Sequence, residues 1–272
     1  MKYFLFPALA VLAAAIAPAG ARSPAEPARL PDAAGSLRPP LAPAAGGGSM
    51  PTAMPTGEEL ARLAPGADPQ VLALGLSAMR CAQASGTGRD ATRLAVIDYS
   101  RSSLTPRLWV FDLAARQLLY REWVAHGQGS GGDVPTRFSN DDGTHASSLG
   151  LFYTRGTYQG RNGYSLRLDG LDAGFNDAAM SRAIVMHGAP YVDADNGRRM
   201  GRLGRSWGCP ALRKAVAKPI IDQLKDGQFV FSYYPEQAWL ARSALARCAQ
   251  ARLQQPPRQV ASAADTAATL TR

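Results

Sequence analysis

The chain has 272 residues, of which 46% are hydrophobic and 19% are charged, and its formal net charge is +9. That length is enough to bury one substantial core, and the positive charge suits an anionic polymer as a partner. No basic run with interleaved aromatic residues occurs, so the composition argues against a nucleic-acid-binding protein.

The first 21 residues have the features of a secretory signal peptide. Lys2 precedes an apolar run over residues 3–17, which is too short to span a bilayer. Small residues alternate at its end, so we expect cleavage after Ala19 or Ala21. The alternative is an uncleaved anchor, but no cysteine that could carry a lipid follows the run. We therefore predict an exported protein of the periplasm or cell envelope, with no stable membrane anchor after cleavage and no nucleic-acid partner.

Composition divides the rest of the chain into three parts. Residues 22–57 are dominated by proline, alanine and glycine, which predicts a disordered linker because few side chains could build a core. Residues 58–253 carry the periodic patterns of one folded domain, with a β core at about residues 93–235. Residues 254–272 are predicted to be a disordered tail.

The folded segment begins with a predicted helix, for which Asp68 is a suitable N-cap, Pro69 a suitable first residue and Gly86 a suitable end. Two more helices are predicted, at residues 218–227 and 235–253. Strands are predicted at residues 93–99, 107–112, 117–125, 149–155, 164–168, 183–187 and 228–234. Short strands with irregular loops indicate a mainly β domain, a sandwich or distorted barrel with peripheral helices.

One cysteine and one histidine form a candidate reactive pair. Cys209 lies in a tight turn, residues 205–211, and His187 ends an apolar run at residues 183–187. An imidazole can take the thiol proton and hold the thiolate as an ion pair, which makes the sulfur a strong nucleophile. The peptide N–H groups of Gly208 and Cys209 could face an oxyanion. The alternative is a buried structural cysteine beside a core histidine.

An apolar strand ending in His-Gly, followed by a loop and Ser-Trp-Gly-Cys-Pro, resembles the L,D-transpeptidase catalytic domain, in the murein branch with this cysteine motif. The resemblance extends over about residues 94–234, with further matches at residues 95–99, 124–127, 147–150 and 164–171. The wider family has a histidine where Trp207 stands and an arginine where Ala211 stands. His187 is therefore the only motif histidine left to act as the base.

The resemblance implies a β-sandwich enzyme that acts on peptidoglycan stem peptides without a cofactor. Cys209 would attack a tetrapeptide stem before its terminal D-alanine, with His187 as the base. An amine of another stem would then take the acyl group and form a 3→3 crosslink. Two alternatives stay open: a murein L,D-carboxypeptidase, in which water resolves the same intermediate, and a non-catalytic protein associated with the cell wall.

The other two cysteines suggest a disulfide. Cys81 lies in the helix before the predicted strands, and Cys248 lies in the helix after them. Because an exported protein meets an oxidising environment, we expect these two to pair and leave Cys209 free. The alternative is a pair of buried thiols.

Several further side chains are candidates for substrate contact. An arginine can hold a carboxylate bidentately, which suits Arg167, although an ion pair with Asp169 or Asp172 would use the same charge. The resemblance places His126 near the site, while a purely structural role is the alternative. The substrate candidates are Tyr164, Arg167, Trp207, Arg205 and His126, and Ser206 and Gly208 are expected to shape the turn or the oxyanion site.

No metal site is predicted, because the sequence has neither an H-E-x-x-H nor a C-x-x-C spacing. His145 lies in a polar loop and is expected to be solvated, and the acidic residues 140–143 are expected to form an ordinary turn. Residues 193–204 are rich in glycine and arginine and are predicted to be a flexible flap over the site.

Overall fold

The computed structural model describes residues 54–255. The predicted signal peptide, most of the predicted linker and most of the predicted tail lie outside the described residues. The first helix starts at Gly57, within the predicted linker, and the last helix ends at Gln254, within the predicted tail. The predicted linker is thus one residue too long at its end, and the predicted tail begins one residue too early.

One nine-stranded sheet forms the body of the described structure. Its strands are β1 (Arg93–Asp98), β2 (Leu108–Asp112), β3 (Gln117–Glu122), β4 (Val124–Ala125), β5 (Gly150–Gly160), β6 (Gly163–Gly170), β7 (Val185–Ala189), β8 (Ala211–Arg213) and β9 (Phe229–Tyr233). They lie in the order β3-β2-β1-β9-β5-β6-β7-β8-β4. The pairs β1–β9 and β7–β8 are parallel, and the other pairs are antiparallel.

The sheet curls into a nearly closed barrel because one bent segment supplies both of its edges. β3 and β4 lie at opposite ends of the strand order, yet Trp123 alone separates them in the chain. The indole N–H of Trp123 donates to the carbonyl of Leu104 at 3.1 Å, which helps to fix the bend. The single strand predicted at residues 117–125 is therefore two strands. The mainly β architecture with peripheral helices confirms the predicted fold class.

Helices cover the two faces of the sheet. They are α1 (Gly57–Leu63), α2 (Pro69–Ala84), α3 (Ala194–Met200), α4 (Lys214–Leu224), α5 (Gln237–Arg242) and α6 (Ala244–Gln254). α2 and α6 pack on one face, where a Cβ on Gly75 would lie 2.8 Å from the ring of Phe231, so glycine allows the close approach. Cys81 and Cys248 are joined by a disulfide that links these two helices. α4 packs on the other face, against Leu166 and Met186.

The structure also differs from the sequence-based prediction at other elements. β8 is too short to have been recognised, and α3 replaces the loop predicted at residues 193–204. α4 begins at Lys214, so Pro219 lies inside the helix instead of at its start. Burial of Val216 against the sheet extends the helix ahead of the proline. The long final helix is broken at Ser243, whose side chain caps α6.

Within residues 54–255, no helix is both long and apolar enough to cross a membrane.

Candidate active site

The parallel pairing of β7 and β8 brings the cysteine and the histidine onto neighbouring strands. His187 is opposite Ala211 in the register, so Cys209 lies level with Val185. The N–H of Val185 donates to Cys209 Sγ at 3.5 Å. Cys209 and His187 are therefore offset by two residues along the strands, a distance of about 7 Å. The thiol does not contact His187 directly in the resting structure but also lies 3.8 Å from the carbonyl of Ala183.

The turn before Cys209 is fixed by Ser206. Its Oγ donates to the carbonyl of Cys209 at 2.6 Å and accepts the N–H of Gly208 at 3.2 Å. Gly208 has φ +113°, and a Cβ there would lie 2.8 Å from the carbonyl oxygen of Ala146. The turn therefore requires glycine. Since the Gly208 N–H is already engaged by Ser206, it does not face an oxyanion as the sequence had suggested.

Backbone and side-chain bonds attach this turn to the segment that follows β4. The N–H of Ser206 donates to the carbonyl of His126 at 3.0 Å, and the N–H of Gln128 donates to the carbonyl of Ser206 at 2.8 Å. Ser147 Oγ donates to the carbonyl of Gly208 at 3.0 Å and accepts the N–H of Gly127 at 3.0 Å. The turn is thus held from both sides before any substrate binds.

Both members of the reactive pair are buried, and burial favours their neutral forms. Cys209 is 8% exposed and His187 is 3% exposed. Burial raises the pKa of the Cys209 thiol, although the Val185 N–H and the nearby Arg182 charge partly oppose this. Burial also lowers the pKa of His187. Both shifts favour a thiol and a neutral imidazole over the ion pair that the sequence suggested.

The tautomer of His187 follows from its hydrogen bond. Nδ1 lies 3.1 Å from the carbonyl oxygen of Gly188, which can only accept, so Nδ1 carries the proton. Nε2 consequently has a lone pair and is the nitrogen that can take a proton. A backbone carbonyl that fixes the tautomer plays the part that a third, orienting side chain has in many such sites.

His126 lies beside the site in a buried polar cluster. Arg107, which is fully buried, donates from Nη2 to His126 Nδ1 at 2.8 Å and also donates from Nε and Nη2 to the carbonyl of Val124. Burial and the Arg107 charge lower the pKa of His126 to about 3. His126 is therefore neutral, and its backbone supports the catalytic turn. Sequence analysis missed Arg107, whose single charge at the start of a strand gave no signal.

Trp207 is the most exposed part of the catalytic turn, with 66% of its surface accessible. The His145 ring stacks on it, with centroids 4.7 Å apart and planes 9° from parallel. His145 also has φ 52° and contacts Gln128 Nε2 through Nδ1 at 3.1 Å. His145 thus lies in a loop, as expected, but it is half-buried and held by Trp207 and Gln128.

The remaining candidates are spread over a wider area. Arg205 Nη1 donates to the carbonyl of Gly131 at 2.5 Å, which ties the turn to the neighbouring loop. Arg167 lies over the ring of Tyr158, 4.2 Å from its centroid. Neither ion pair foreseen for Arg167 is formed, because Asp169 pairs with Arg155, and Asp172 is buried and bonded to the N–H of Leu151 and to Trp239.

A cleft of about 390 Å³ adjoins His187 at the end of β7. Tyr164 lines it and donates its hydroxyl proton to Asp222 Oδ1 at 2.8 Å. The other lining side chains with polar or charged groups are Arg161, Asn162, Tyr191, Lys214 and Lys218. None of these five was singled out from the sequence, because they come from three separate elements. Among residues 54–255, no group of three or more His, Cys, Asp or Glu side chains is arranged to hold a metal ion.

Comparisons with known proteins were made on both sequence and structure. A family model described as the L,D-transpeptidase catalytic domain matches residues 63–233, more than half of the 272-residue chain. No curated protein matches the chain.

Solved structures with similar chains share little sequence with this protein. An L,D-transpeptidase from Mycobacterium smegmatis is 15% identical, with 53% of this chain and 59% of that chain covered and a TM-score of 0.33. An L,D-transpeptidase from Stackebrandtia nassauensis is 13% identical, with 66% and 77% covered and a TM-score of 0.31. The helical cell shape determining protein Pgp2 from Campylobacter jejuni is 12% identical, with 54% and 49% covered and a TM-score of 0.36. The match thus spans a little over half of the mycobacterial chain.

Proposed function

Because this chain belongs to the L,D-transpeptidase catalytic domain family, we propose that it is a peptidoglycan L,D-transpeptidase that uses Cys209 as its nucleophile. The donor is a tetrapeptide stem, cut between the L-centre of its third residue and the terminal D-alanine. The acceptor is an amine of a second stem, so that the product is a 3→3 crosslink. The protein needs no cofactor for this acyl transfer.

One observation carries the proposal: the parallel pairing of β7 and β8 brings Cys209 level with Val185, two residues before His187, behind a turn that is fixed in advance. A thiol and a base on rigid elements can be held in reacting geometry with little loss of entropy.

The first half of the reaction then starts from neutral partners. The thiol proton moves to Nε2 of His187 as Sγ bonds to the carbonyl carbon and the carbonyl electron pair moves to oxygen. When the carbonyl re-forms, the C–N bond breaks, and the proton on His187 goes to the departing amine of D-alanine. Of the turn amides, the N–H of Cys209 is the remaining candidate to stabilise the oxyanion, since Ser206 holds that of Gly208.

The second half reverses the roles of the same groups. The acceptor amine gives a proton to Nε2 as it attacks the thioester carbon, and the C–S bond breaks. The thiolate then recovers a proton from His187. If water takes the place of the amine, the product is a tripeptide, and the enzyme is a carboxypeptidase.

Tyr164, Arg167, Trp207, Arg205 and His126 surround this centre at different distances. Trp207 presents an exposed ring two residues from the nucleophile, and Tyr164 lines the cleft beside His187. We assign these two to substrate contact. Arg205 and His126 shape the turn, because their contacts are with neighbouring backbone and with Arg107. Arg167 is occupied with Tyr158 and supports the sheet.

We also place the protein outside the cytoplasm, in the periplasm or cell envelope. The Cys81–Cys248 disulfide supports this location, since such bonds form and persist in oxidising compartments. The predicted signal peptide lies outside the described residues. Mass spectrometry of the N-terminus of the exported protein tests cleavage after Ala19 or Ala21.

The decisive experiment incubates the protein and a Cys209→Ala variant with purified tetrapeptide muropeptides and identifies products by mass spectrometry. The wild-type protein should release D-alanine and form 3→3 dimers at high muropeptide concentration, and the variant should form neither. Pentapeptide muropeptides should be poor donors. Tripeptide as the sole product at every concentration would assign a carboxypeptidase. Absence of all products while Cys209 still reacts with a thiol reagent would contradict the murein substrate.

A further inference from the structure

Arg182 holds the residues on both sides of Ser147. Its guanidinium donates from Nη2 to the carbonyl of Ala146 at 2.8 Å and from Nη1 to Ser148 Oγ at 2.7 Å. Ser147 lies between these two and donates to the carbonyl of Gly208 at 3.0 Å. The carbonyl oxygen of Ala146 also lies against Gly208, where an added Cβ would come within 2.8 Å of it. A single peptide group therefore separates the guanidinium from the turn that carries the nucleophile.

The residue after Arg182 contacts the thiol itself. Ala183 has φ 53°, a left-handed conformation that a residue with a Cβ adopts only at a cost. Its carbonyl oxygen lies 3.8 Å from Cys209 Sγ. The N–H of Ile184 donates to the carbonyl of Ala179 at 2.9 Å, which closes this tight turn. The strained backbone thus brings the thiol close to the start of the Arg182 side chain.

The charge of Arg182 is not paired with a carboxylate. It makes no ion pair within residues 54–255. Asp141 and Asp142 interact with it electrostatically but lie beyond ion-pair distance. Its hydrogen bonds go to neutral acceptors, which are the carbonyls of Ser139 and Ala146 and the hydroxyls of Thr144 and Ser148. Because arginine stays protonated while a thiol titrates, a positive charge persists beside Cys209.

We propose that Arg182 is a positioning residue for the thiol: it braces the turn through residues 146–148, and its positive charge stabilises the thiolate form of Cys209. This assignment rests on the proposed function, in which Cys209 is the nucleophile. Negative charge grows on Sγ while the thiol proton moves to His187, and the thiolate is the leaving group when the acceptor amine attacks the thioester. An opposite charge held nearby lowers the free energy of both states and offsets part of the effect of burial.

The pH dependence of thiol alkylation tests this role without a murein substrate. Iodoacetamide reacts with the thiolate, so the alkylation rate of the native protein, followed by mass spectrometry between pH 7 and 10.5, gives the titration midpoint of Cys209. Cys81 and Cys248 are joined in a disulfide, so the modified thiol is that of Cys209.

Neighbouring titratable groups keep the same charge over this pH range. Tyr99 and Tyr191 interact electrostatically with Cys209, and burial raises the pKa of each tyrosine to about 12. Burial lowers the pKa of His187, so its ring is neutral above pH 7. The midpoint therefore reports the thiol itself.

Three variants separate the charge of Arg182 from its hydrogen bonds. Arg182→Gln removes the charge and should raise the midpoint by roughly 0.5–1 pH unit, less than the shift from a contact ion pair, because water screens the partly exposed guanidinium. Arg182→Lys keeps the charge and should restore most of that shift, although it loses hydrogen bonds and should melt at a lower temperature. Arg137→Gln removes an exposed cation bonded to the carbonyl of Gly129 and is the matched control, with the wild-type midpoint expected.

A role in bracing alone predicts a shift of the opposite sign. If Arg182 only held residues 146–148, its loss would expose the thiol and move the midpoint down towards the ordinary value near 8.5, in Arg182→Gln and Arg182→Lys alike. A midpoint that falls or stays the same in Arg182→Gln would overturn the assignment. If that variant does not fold, the wild-type midpoint should still rise with ionic strength, and a midpoint that does not rise would equally overturn it.

Activity measured on the same proteins distinguishes this assignment from the proposed function. D-alanine release from tetrapeptide muropeptide should be about three- to tenfold slower with Arg182→Gln, which corresponds to the expected shift of the midpoint, and Arg182→Lys should recover part of the loss. If the wild-type protein released no D-alanine while the midpoints shifted as expected, the proposed function would fail and the effect of Arg182 on the thiol would stand.

Discussion

Burial decides the chemical state of the two reacting side chains. Cys209 and His187 are both nearly inaccessible, so water stabilises neither a thiolate nor an imidazolium. In the mechanism that we propose, the proton therefore moves during the attack and not before it. This arrangement protects the thiol from indiscriminate reaction, because the thiolate is the reactive form.

The pH dependence of kcat/KM should report the lowered pKa of His187. Protonation removes the base, and since burial lowers this pKa below its usual value of 6.5, activity should persist to a lower pH than 6.5 before it falls. His187→Ala should lose ~10²–10⁴-fold in kcat/KM, the usual contribution of a general base, and its profile should lack the acid limb. Steady-state kinetics between pH 4 and 8 measure the loss in kcat/KM and the position of the acid limb. An unchanged acid limb in the variant would assign it to another group.

His126 should make the fold sensitive to acid. Its pKa is about 3 in the folded state, so the unfolded chain binds an extra proton as the pH falls below 6.5. The stabilising effect of the neutral ring is therefore complete above 6.5 and is lost progressively towards pH 3. The free energy of unfolding should drop by at most about 1.4 kcal/mol per pH unit from this residue.

Urea denaturation at pH 7 and pH 4.5 measures that loss. His126→Asn should be less stable at pH 7, because Arg107 loses a buried acceptor, but its stability should depend less on pH. His145→Asn, which changes the histidine that stacks on Trp207, is the matched comparison. If both variants show the same pH dependence as the wild-type protein, the acid sensitivity arises elsewhere.

At the scale of elements, the site depends on the register between β7 and β8. A shift by one residue would move Cys209 by about 3.3 Å along β7 and away from the N–H of Val185. β8 is only three residues long, so it cannot fix this register alone. The turn before it, bonded through Ser206 and Ser147, supplies the missing constraint.

Replacing Gly208 should show whether activity depends on the backbone conformation of this turn. Gly208→Ala places a Cβ 2.8 Å from the Ala146 carbonyl at φ +113°, so we expect a loss of roughly 1–3 kcal/mol in stability and a larger loss of activity. Gly156→Ala in β5 is the control, because a Cβ there meets no atom within 4 Å. Thermal melting measures the loss of stability in each variant, and the rate of D-alanine release measures the loss of activity. Full activity in Gly208→Ala would show that the turn tolerates another conformation.

The segment at residues 193–204, between His187 and Cys209 in the chain, contains the helix α3. The sequence predicted a flexible flap, but Asp193 caps a helix here by accepting the N–H of Asn196 at 2.7 Å, and Gly201 ends it with φ 70°. Leu203 is buried in a small cluster with Val192. The segment is therefore a short helix packed against the domain and not the flap that the sequence predicted.

At the scale of the molecule, stability and chemistry lie on different parts of the sheet. The helices joined by the disulfide pack against one face of the β1–β9 region, whereas His187 lies on β7 and Cys209 lies two residues before β8. This separation allows the scaffold to be perturbed without moving the site.

Removing the disulfide should test that separation. Cys81 and Cys248 are 167 residues apart, and closing a loop of that length stabilises the fold by about 5 kcal/mol in the chain-entropy model. The double variant Cys81→Ser, Cys248→Ser should therefore unfold at much lower urea concentration. Its rate of D-alanine release, measured well below that concentration, should match the wild-type rate. A large loss of activity in the still-folded variant would show that the two regions are coupled.

The sequence by itself determined the local features. The Asp68-Pro69 helix start, most strands and the turn at residues 113–116 depend on short-range propensities, and the structure shows each of them. The family also followed from motifs, because Ser-Trp-Gly-Cys-Pro and His-Gly are contiguous in the chain. The pairing of Cys81 with Cys248 could be expected from compartment and position, and the two are joined in the structure.

Only the tertiary structure decided what depends on contacts between distant segments. The neutral state of the reactive pair arises from burial by elements that no local pattern describes. β8 exists because it pairs with both β4 and β7, and the cleft beside His187 forms where a hairpin tip, a strand end and a helix start meet. Burial, register and convergent charge are properties of packing, so residues such as Lys214 and Arg107 gain their roles only when the chain has folded.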